Sequence, residues 1–235
     1  MRVGILGSGL MGGKLGTLFA RAGHGVVFSY ARSDQKLKRL ARQAAENARA
    51  GTPADAAREA DAVLLAVHWL RVDDVLRKAG NLSGKVVITC SLPMNADDTR
   101  LVVAHTSSGA EALAKKIRRA KVVSAFSTVP SEVLFGVFDA SARSERRRAR
   151  GEGRGARSQG RGAKKGNRPS LVYCGDDEPA KEVAASLIRD VGFDPVDAGP
   201  LRLARYVEPF TLLMARLAYE GNEGPEVAYR FMRFG

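Results

Sequence analysis

Short apolar runs dense in Val, Ile and Leu recur through the first 138 residues, separated by stretches with helical spacing. The runs fall at 3–6, 26–29, 62–67, 86–90 and 122–126. None alternates strictly between apolar and polar positions, which suits strands covered on both faces in a parallel sheet. Helices are expected at 10–22, 34–48, 70–78 and 109–119, the second capped by Ser33 or Asp34. Strand–helix–strand repetition of this kind predicts an α/β fold, a Rossmann-type doubly wound and mainly parallel sheet. Apolar patterning resumes at 171–175, with a helix expected at 178–191 and a short strand near 195–197. From about 203 to 234 the spacing is mostly helical, which predicts a C-terminal helical cap. Pro209 and the 221–225 stretch are expected to interrupt or bend it.

Charge divides the chain further. The formal net charge is +13, yet the stretch from Asp139 to Ser170 alone holds eleven Lys or Arg against three Asp or Glu. Residues 141–170 contain no aromatic and no large aliphatic side chain, so they cannot bury enough apolar surface to offset their ordering entropy. Three parts follow: a dinucleotide-binding core at 1–138, a basic Gly/Arg-rich disordered insertion at 139–170, and remaining strands with a helical cap at 171–235. The Arg-Gly repeats between Arg146 and Lys165 offer salt-dependent phosphate contacts, but the aromatic residues that stack on bases are missing. A solvated insertion and a nucleic-acid contact through 141–168 both remain open.

No apolar run is long enough to span a membrane. The chain passes from Met1 and Arg2 straight into the first apolar run, without the longer segment of a signal peptide, so a cytoplasmic location is expected. Cys90 and Cys174 read as reduced thiols near strand ends, and no His pair stands at metal-ligating spacing. No metal is expected.

The chemistry concentrates where the first strand ends. Gly7, Ser8, Gly9, Leu10, Met11 and Gly12 form a GxGxxG between a strand and a helix, inside a complete βαβ unit. Gly7 would allow the tight turn, Gly9 the approach of a pyrophosphate, and Gly12 the packing of helix on strand. The phosphates would then sit at the positive end of the helix. An NAD site would carry an acidic residue at the end of the second strand, but Ser29, Tyr30, Ala31, Arg32 and Ser33 stand there. Arg32 can pair with a 2′-phosphate, and Ser29 or Ser33 can donate to it, so NADP(H) is the expected cofactor. Arg32 as a mere solvated charge is the alternative.

At the end of the third apolar run, His68 and Trp69 lie where open α/β sheets bind ligands. For His68, helix capping and catalysis are both open, and Trp69 is expected to pack under the cofactor. His24 reads as structural, and His105 has no evident partner. No residue can be assigned a catalytic role from these patterns.

The chain resembles the F-420-dependent NADP oxidoreductase family, small Rossmann proteins also known as NADPH-dependent deazaflavin-coenzyme reductases. The resemblance extends beyond the glycines to residues 122–130, 174–177, 197–201, 203–209 and 216–219. It covers nearly all of the chain except 140–169. It implies that hydride passes directly between the nicotinamide of NADP(H) and a planar redox partner such as the F-420 deazaflavin, a step that needs positioning more than proton transfer. On the same resemblance, residues 8–11 would contact the pyrophosphate and Arg32 the 2′-phosphate. Val67, His68 and Leu92 would flank the nicotinamide half, while Trp69, Ser127, Thr128, Val129, Pro130 and Ser131 would lie on the substrate side. A homodimer is implied as well. The competing class is an NADP(H)-binding sensor or regulatory protein that reaches nucleic acid through the basic insertion.

Overall fold

A computed structural model describes residues 1–150 and 168–234. Its first half builds the sheet outward from β1 (Arg2–Leu6), which leads into α1 (Leu10–Arg21), β2 (Gly25–Ser29), α2 (Asp34–Ala44) and β3 (Ala48–Ala50). Then come α3 (Pro53–Glu59), β4 (Ala62–Leu65), a 3-10 turn (Trp69–Arg71), α4 (Val72–Ala79), β5 (Val86–Thr89), α5 (Gly109–Lys116) and β6 (Lys121–Ser124). The second half adds α6 (Val133–Ala149), β7 (Ser170–Gly175), α7 (Glu178–Asp190), β8 (Asp194–Asp197) and α8 (Ala204–Tyr219). The strands lie in the order β3-β2-β1-β4-β5-β6-β7-β8. Every neighbouring pair is parallel except β6 and β7, where Ser124 faces Cys174 across an antiparallel step.

The central strands are apolar because helices cover both faces of the sheet, whereas the edge strands β3 and β8 carry Arg49, Asp194 and Asp197. One face carries Ile5, Leu15, Phe19, Phe28, Phe126, Leu187 and Phe193, all fully buried. The other carries Leu6, Val63, Leu65, Val75 and Val87 beneath α3, α4 and α5. The reversal of strand order beside β1 opens a crevice at the carboxyl ends of β1 and β4, the switch point of such sheets.

Four expectations differ from what is observed. The second helix stops at Ala44 rather than 48, and Ala48–Ala50 pairs with β2 as an edge strand. Helix α3 was not foreseen, although Thr52 and Asp55 form a capping box with Pro53 in the first turn. The C-terminal region is helical only to Tyr219, and α8 runs through Pro209 without a break. Residues beyond it return along the sheet, where Ser170 N–H donates to the Tyr229 carbonyl at 2.8 Å. Finally, α6 continues to Ala149, so the first part of the basic stretch is helical. Residues 151–167 of that stretch lie outside the described residues.

Candidate functional site

The turn after β1 is built so closely that glycine is required. A Cβ on Gly7, whose φ is +112°, would lie 2.3 Å from the Ala66 carbonyl oxygen and 2.5 Å from Val67 Cγ1. One on Gly12 would lie 1.9 Å from the Gly7 carbonyl oxygen. At Gly9 an added Cβ would meet nothing within 4 Å. The turn is therefore packed on its protein side and open at Gly9. Gly9 also caps α1 without a side chain, so the first-turn N–H groups keep their capacity to bind an outside acceptor. That combination fits the diphosphate of a dinucleotide.

Ser8 departs from the expected role. It is fully buried, its N–H donates to the Tyr30 carbonyl at 3.1 Å and its hydroxyl to the Ser29 carbonyl at 2.9 Å. Both of its donors are thus used in joining the glycine turn to the end of β2. Ser29 departs likewise: its buried hydroxyl donates to the Ile5 carbonyl at 2.7 Å and does not face the crevice.

The remaining residues after β2 keep a polar outlet. Tyr30 has φ +55°, and its phenol donates to Asp74 Oδ2 at 2.7 Å. Lys78 sits 5.3 Å from the ring centroid and also bonds Asp74. Burial raises the Tyr30 phenol above its ordinary range and Asp74 adds to the rise, while Lys78 and Tyr30 hold the Asp74 carboxyl low. This cluster fixes the wall where the adenosine end of a dinucleotide would lie. Ser33 caps α2 by accepting from Lys36 N–H at 3.3 Å, which leaves its own hydroxyl hydrogen free to donate. Arg32 is exposed and has no carboxylate partner among the described residues. An unpaired guanidinium beside a hydroxyl suits a phosphate monoester.

On the other side of the glycine turn, Val67 N–H donates to Ser91 Oγ at 3.2 Å, which joins the ends of β4 and β5. His68 caps the 3-10 turn: its Nδ1 accepts from Leu70 N–H at 3.2 Å, while Nε2 meets Asp98 Oδ1 at 2.9 Å. Trp69 is half-buried and packs on the core beneath α4. Leu92 is half-buried after β5.

Residues 127–131 are more enclosed than expected. Phe126 is fully buried at φ +68°, an uncommon conformation for a bulky residue that turns the chain sharply after β6. Ser127 stays half-buried and accepts from Thr211 Oγ1 at 3.3 Å. Thr128 shares a 2.7 Å hydrogen bond with the Tyr229 hydroxyl, and Val129 and Pro130 are buried. Ser131 accepts from Lys14 Nζ through its carbonyl and hydroxyl at 3.0 and 3.1 Å. Only Ser127 of the five retains substantial exposure, because the C-terminal return segment and Lys14 take up its neighbours.

Helix α8 is anchored beside this segment. Glu208 is buried and accepts from Gly109 and Ala110 N–H, both at 2.9 Å, at the start of α5. Burial pushes its carboxyl up to about 7 against those two donors. One helical turn away, Arg205 binds Glu111 bidentately at 2.9 and 2.7 Å.

Elsewhere, His24 is buried and pairs with Asp190 at 3.1 Å, away from the crevice. Burial pushes the Cys90 and Cys174 thiols up to about 12. Among the described residues no cluster of three His, Cys, Asp or Glu could hold a metal, and no helix is long and apolar enough to cross a membrane. The sequence reading missed Asp98, Lys14, Asp74 and Glu208. Each acts through a partner distant in the chain, and no local motif announces it.

Fold and site together define an open, doubly wound α/β sheet with a glycine-lined crevice at its switch point. Residues 2–93 match the family model described as NADP oxidoreductase coenzyme F420-dependent. Over 211 residues it is 28% identical to the metalloreductase STEAP3 of Rattus norvegicus, covering 90% of this chain and 36% of the rat protein. Over 169 residues it is 27% identical to the F420-dependent NADP reductase of Methanocaldococcus jannaschii, covering 69% of this chain and 64% of that protein. The chain thus spans about a third and just under two thirds of these relatives' lengths. A solved structure from Arthrobacter sp. FB24, named provisionally as an F420-dependent NADP-reductase, superposes with a TM-score of 0.77 at 22% identity. It covers 98% of this chain and 99% of that one, a likeness of fold.

Proposed function

We propose that the protein is an oxidoreductase that transfers hydride between NADP(H) and a planar redox partner, of which the F-420 deazaflavin is the leading candidate. The observation that carries this reading is the open cradle at Gly9 next to an unpaired Arg32, with no carboxylate at the end of β2. NADPH, when bound, supplies the hydride. The N–H groups of Leu10 and Met11 would hold the diphosphate, and Arg32 with the Ser33 hydroxyl would bind the 2′-phosphate. Val67, His68 and Leu92 would border the nicotinamide half, which leaves the segment around Ser127 on the far side of that ring. The Ser127 hydroxyl is the least enclosed polar group there, and it is a poor proton donor. The proton that accompanies a hydride would then come from water, as a flat conjugated acceptor permits.

A homodimer fits the exposed apolar side chains Tyr206, Leu213 and Leu217 on α8, and a cytoplasmic site fits the expected supply of NADPH. The test is titration with NADPH and NADH, followed in the same cell by the deazaflavin and then by a flavin. Preferential binding of NADPH and its oxidation only on adding the deazaflavin is the expected result. If neither nucleotide binds, the proposal fails. If NADPH binds and a flavin alone is reduced, the cofactor stands and the partner is a flavin.

A further inference from the structure

We propose that His68 and Asp98 form a latch that holds residues 94–101 against the cofactor crevice, and that both act as positioning residues. The inference rests on the NADP(H) reading above and adds the part of the chain that shapes the nicotinamide half. Residues 94–101 form a closed turn: Met94 and Leu101 make an antiparallel bridge, and Asn95 Oδ1 accepts from Thr99 and Arg100 N–H at 2.9 and 3.1 Å. Asn95 Nδ2 also donates to Thr99 Oγ1 at 2.9 Å. At its tip Asp98 adopts φ +53°, a conformation that Asp and Asn tolerate better than most residues. That strained tip carries the carboxylate to His68 Nε2 at 2.9 Å.

The tautomer follows from the other ring nitrogen. Leu70 N–H donates to Nδ1, so the ring hydrogen sits on Nε2 and is given to Asp98. His68 thus has both nitrogens engaged, one with its own 3-10 turn and one with the loop after β5. The adjoining residues Ala66 and Val67 pack directly on Gly7, as the short approaches to a Gly7 Cβ record. The latch therefore ties the loop after β5 to the strand end that the glycine turn leans on. A loop held there narrows the crevice and lowers the entropy lost when a dinucleotide is bound.

Three variants separate this role from capping. His68→Asn keeps an N-cap acceptor for Leu70 but is too short to reach Asp98. Asp98→Gly removes the carboxylate while accepting the positive φ, and Asp98→Asn keeps both the φ and an acceptor for Nε2. Two readouts apply. Trypsin cleavage after Arg100, followed by mass spectrometry on the cofactor-free protein, reports loop attachment. Emission of Trp69, the single tryptophan, during NADPH titration reports affinity. His68→Asn and Asp98→Gly are expected to speed cleavage after Arg100 and to raise the NADPH Kd by about threefold to tenfold, a modest factor because the pair is partly solvated. Asp98→Asn should recover most of both effects relative to Asp98→Gly. Cleavage and Kd unchanged in both deletions would overturn the latch. A change in His68→Asn alone would also overturn it and assign His68 to capping. If the parent protein fails to bind NADPH, the proteolysis still decides the latch while the cofactor reading falls separately.

Discussion

The buried carboxylate of Glu208 sets two physical effects against each other in a way that pH can resolve. Burial favours the protonated form, whereas the Gly109 and Ala110 N–H groups at the start of α5 favour the ionised one. The balance is a rise from the ordinary 4.5 to about 7. A folded pKa above the unfolded one means that the stabilising contribution is complete below about 4.5 and is lost as pH rises through about 7. A shift of that size amounts to about 3 kcal/mol at 1.36 kcal/mol per pH unit. Glu208→Gln removes the titration and keeps the side-chain size, at the loss of one acceptor for two donors. Urea denaturation of both proteins at pH 5 and pH 8 isolates the group, because all other titrations cancel in the difference of differences. The parent should lose about 2 to 3 kcal/mol more than the variant between these pH values. Equal losses would mean that the group does not titrate in this window. That result would mean that the two donors at the helix start offset or outweigh burial, because a carboxyl at or below its ordinary 4.5 titrates below this window, and the reasoning would be refuted.

Other substitutions read different parts of the site. Gly9→Ala should fold with stability within about 0.5 kcal/mol of the parent, since its Cβ meets nothing within 4 Å. It should still bind NADPH at least tenfold more weakly by titration, as that open space is where the diphosphate would lie. Gly12→Ala, placed 1.9 Å from a backbone oxygen, should instead lower the thermal midpoint before any ligand is added. Arg32→Ser should reduce NADPH affinity by roughly tenfold to a hundredfold and leave NADH affinity nearly unchanged, in line with the loss of a charge-assisted contact. Equal losses for both nucleotides would remove Arg32 from the 2′-phosphate. Tyr229→Phe, which takes the partner from Thr128 and from Val172 N–H, should cost about 1 to 3 kcal/mol in urea denaturation.

How much of this was legible depended on whether the signal was local. Strands β1, β2, β4, β5 and β6 stood out because both of their faces are buried, which leaves unbroken Val, Ile and Leu runs. Strand β3 did not, because Ala48, Arg49 and Ala50 form a short edge with no β-branched residue and follow a helix without a stop signal. The C-terminal return failed for the opposite reason. Val227, Tyr229 and Phe231 look like spaced apolar positions, yet Gly221, Gly224 and Pro225 end the helix before them. At the site, residue types were readable and directions were not. Ser8 and Ser29 are hydroxyls beside a phosphate cradle in the sequence, but each turns inward to a main-chain carbonyl.

That inward use of hydroxyls separates the two halves of the site. On the proposed cofactor half, recognition would fall to main-chain N–H groups, to Arg32 and to Ser33, which the local backbone geometry leaves unused. On the acceptor half, Thr128 is bound to Tyr229, Ser131 to Lys14, and Ser127 to Thr211. A partner that required several directed hydrogen bonds from these side chains would have to displace contacts that hold α1 and α8 in place. A partner recognised by its flat face needs none of them, and stacking against a ring positioned by the crevice would suffice. Under the proposed reading, this half would therefore suit ring-on-ring hydride transfer better than reduction of a small polar carbonyl. Substitutions at Thr128 or Ser131 should accordingly disturb folding before they disturb the choice of acceptor.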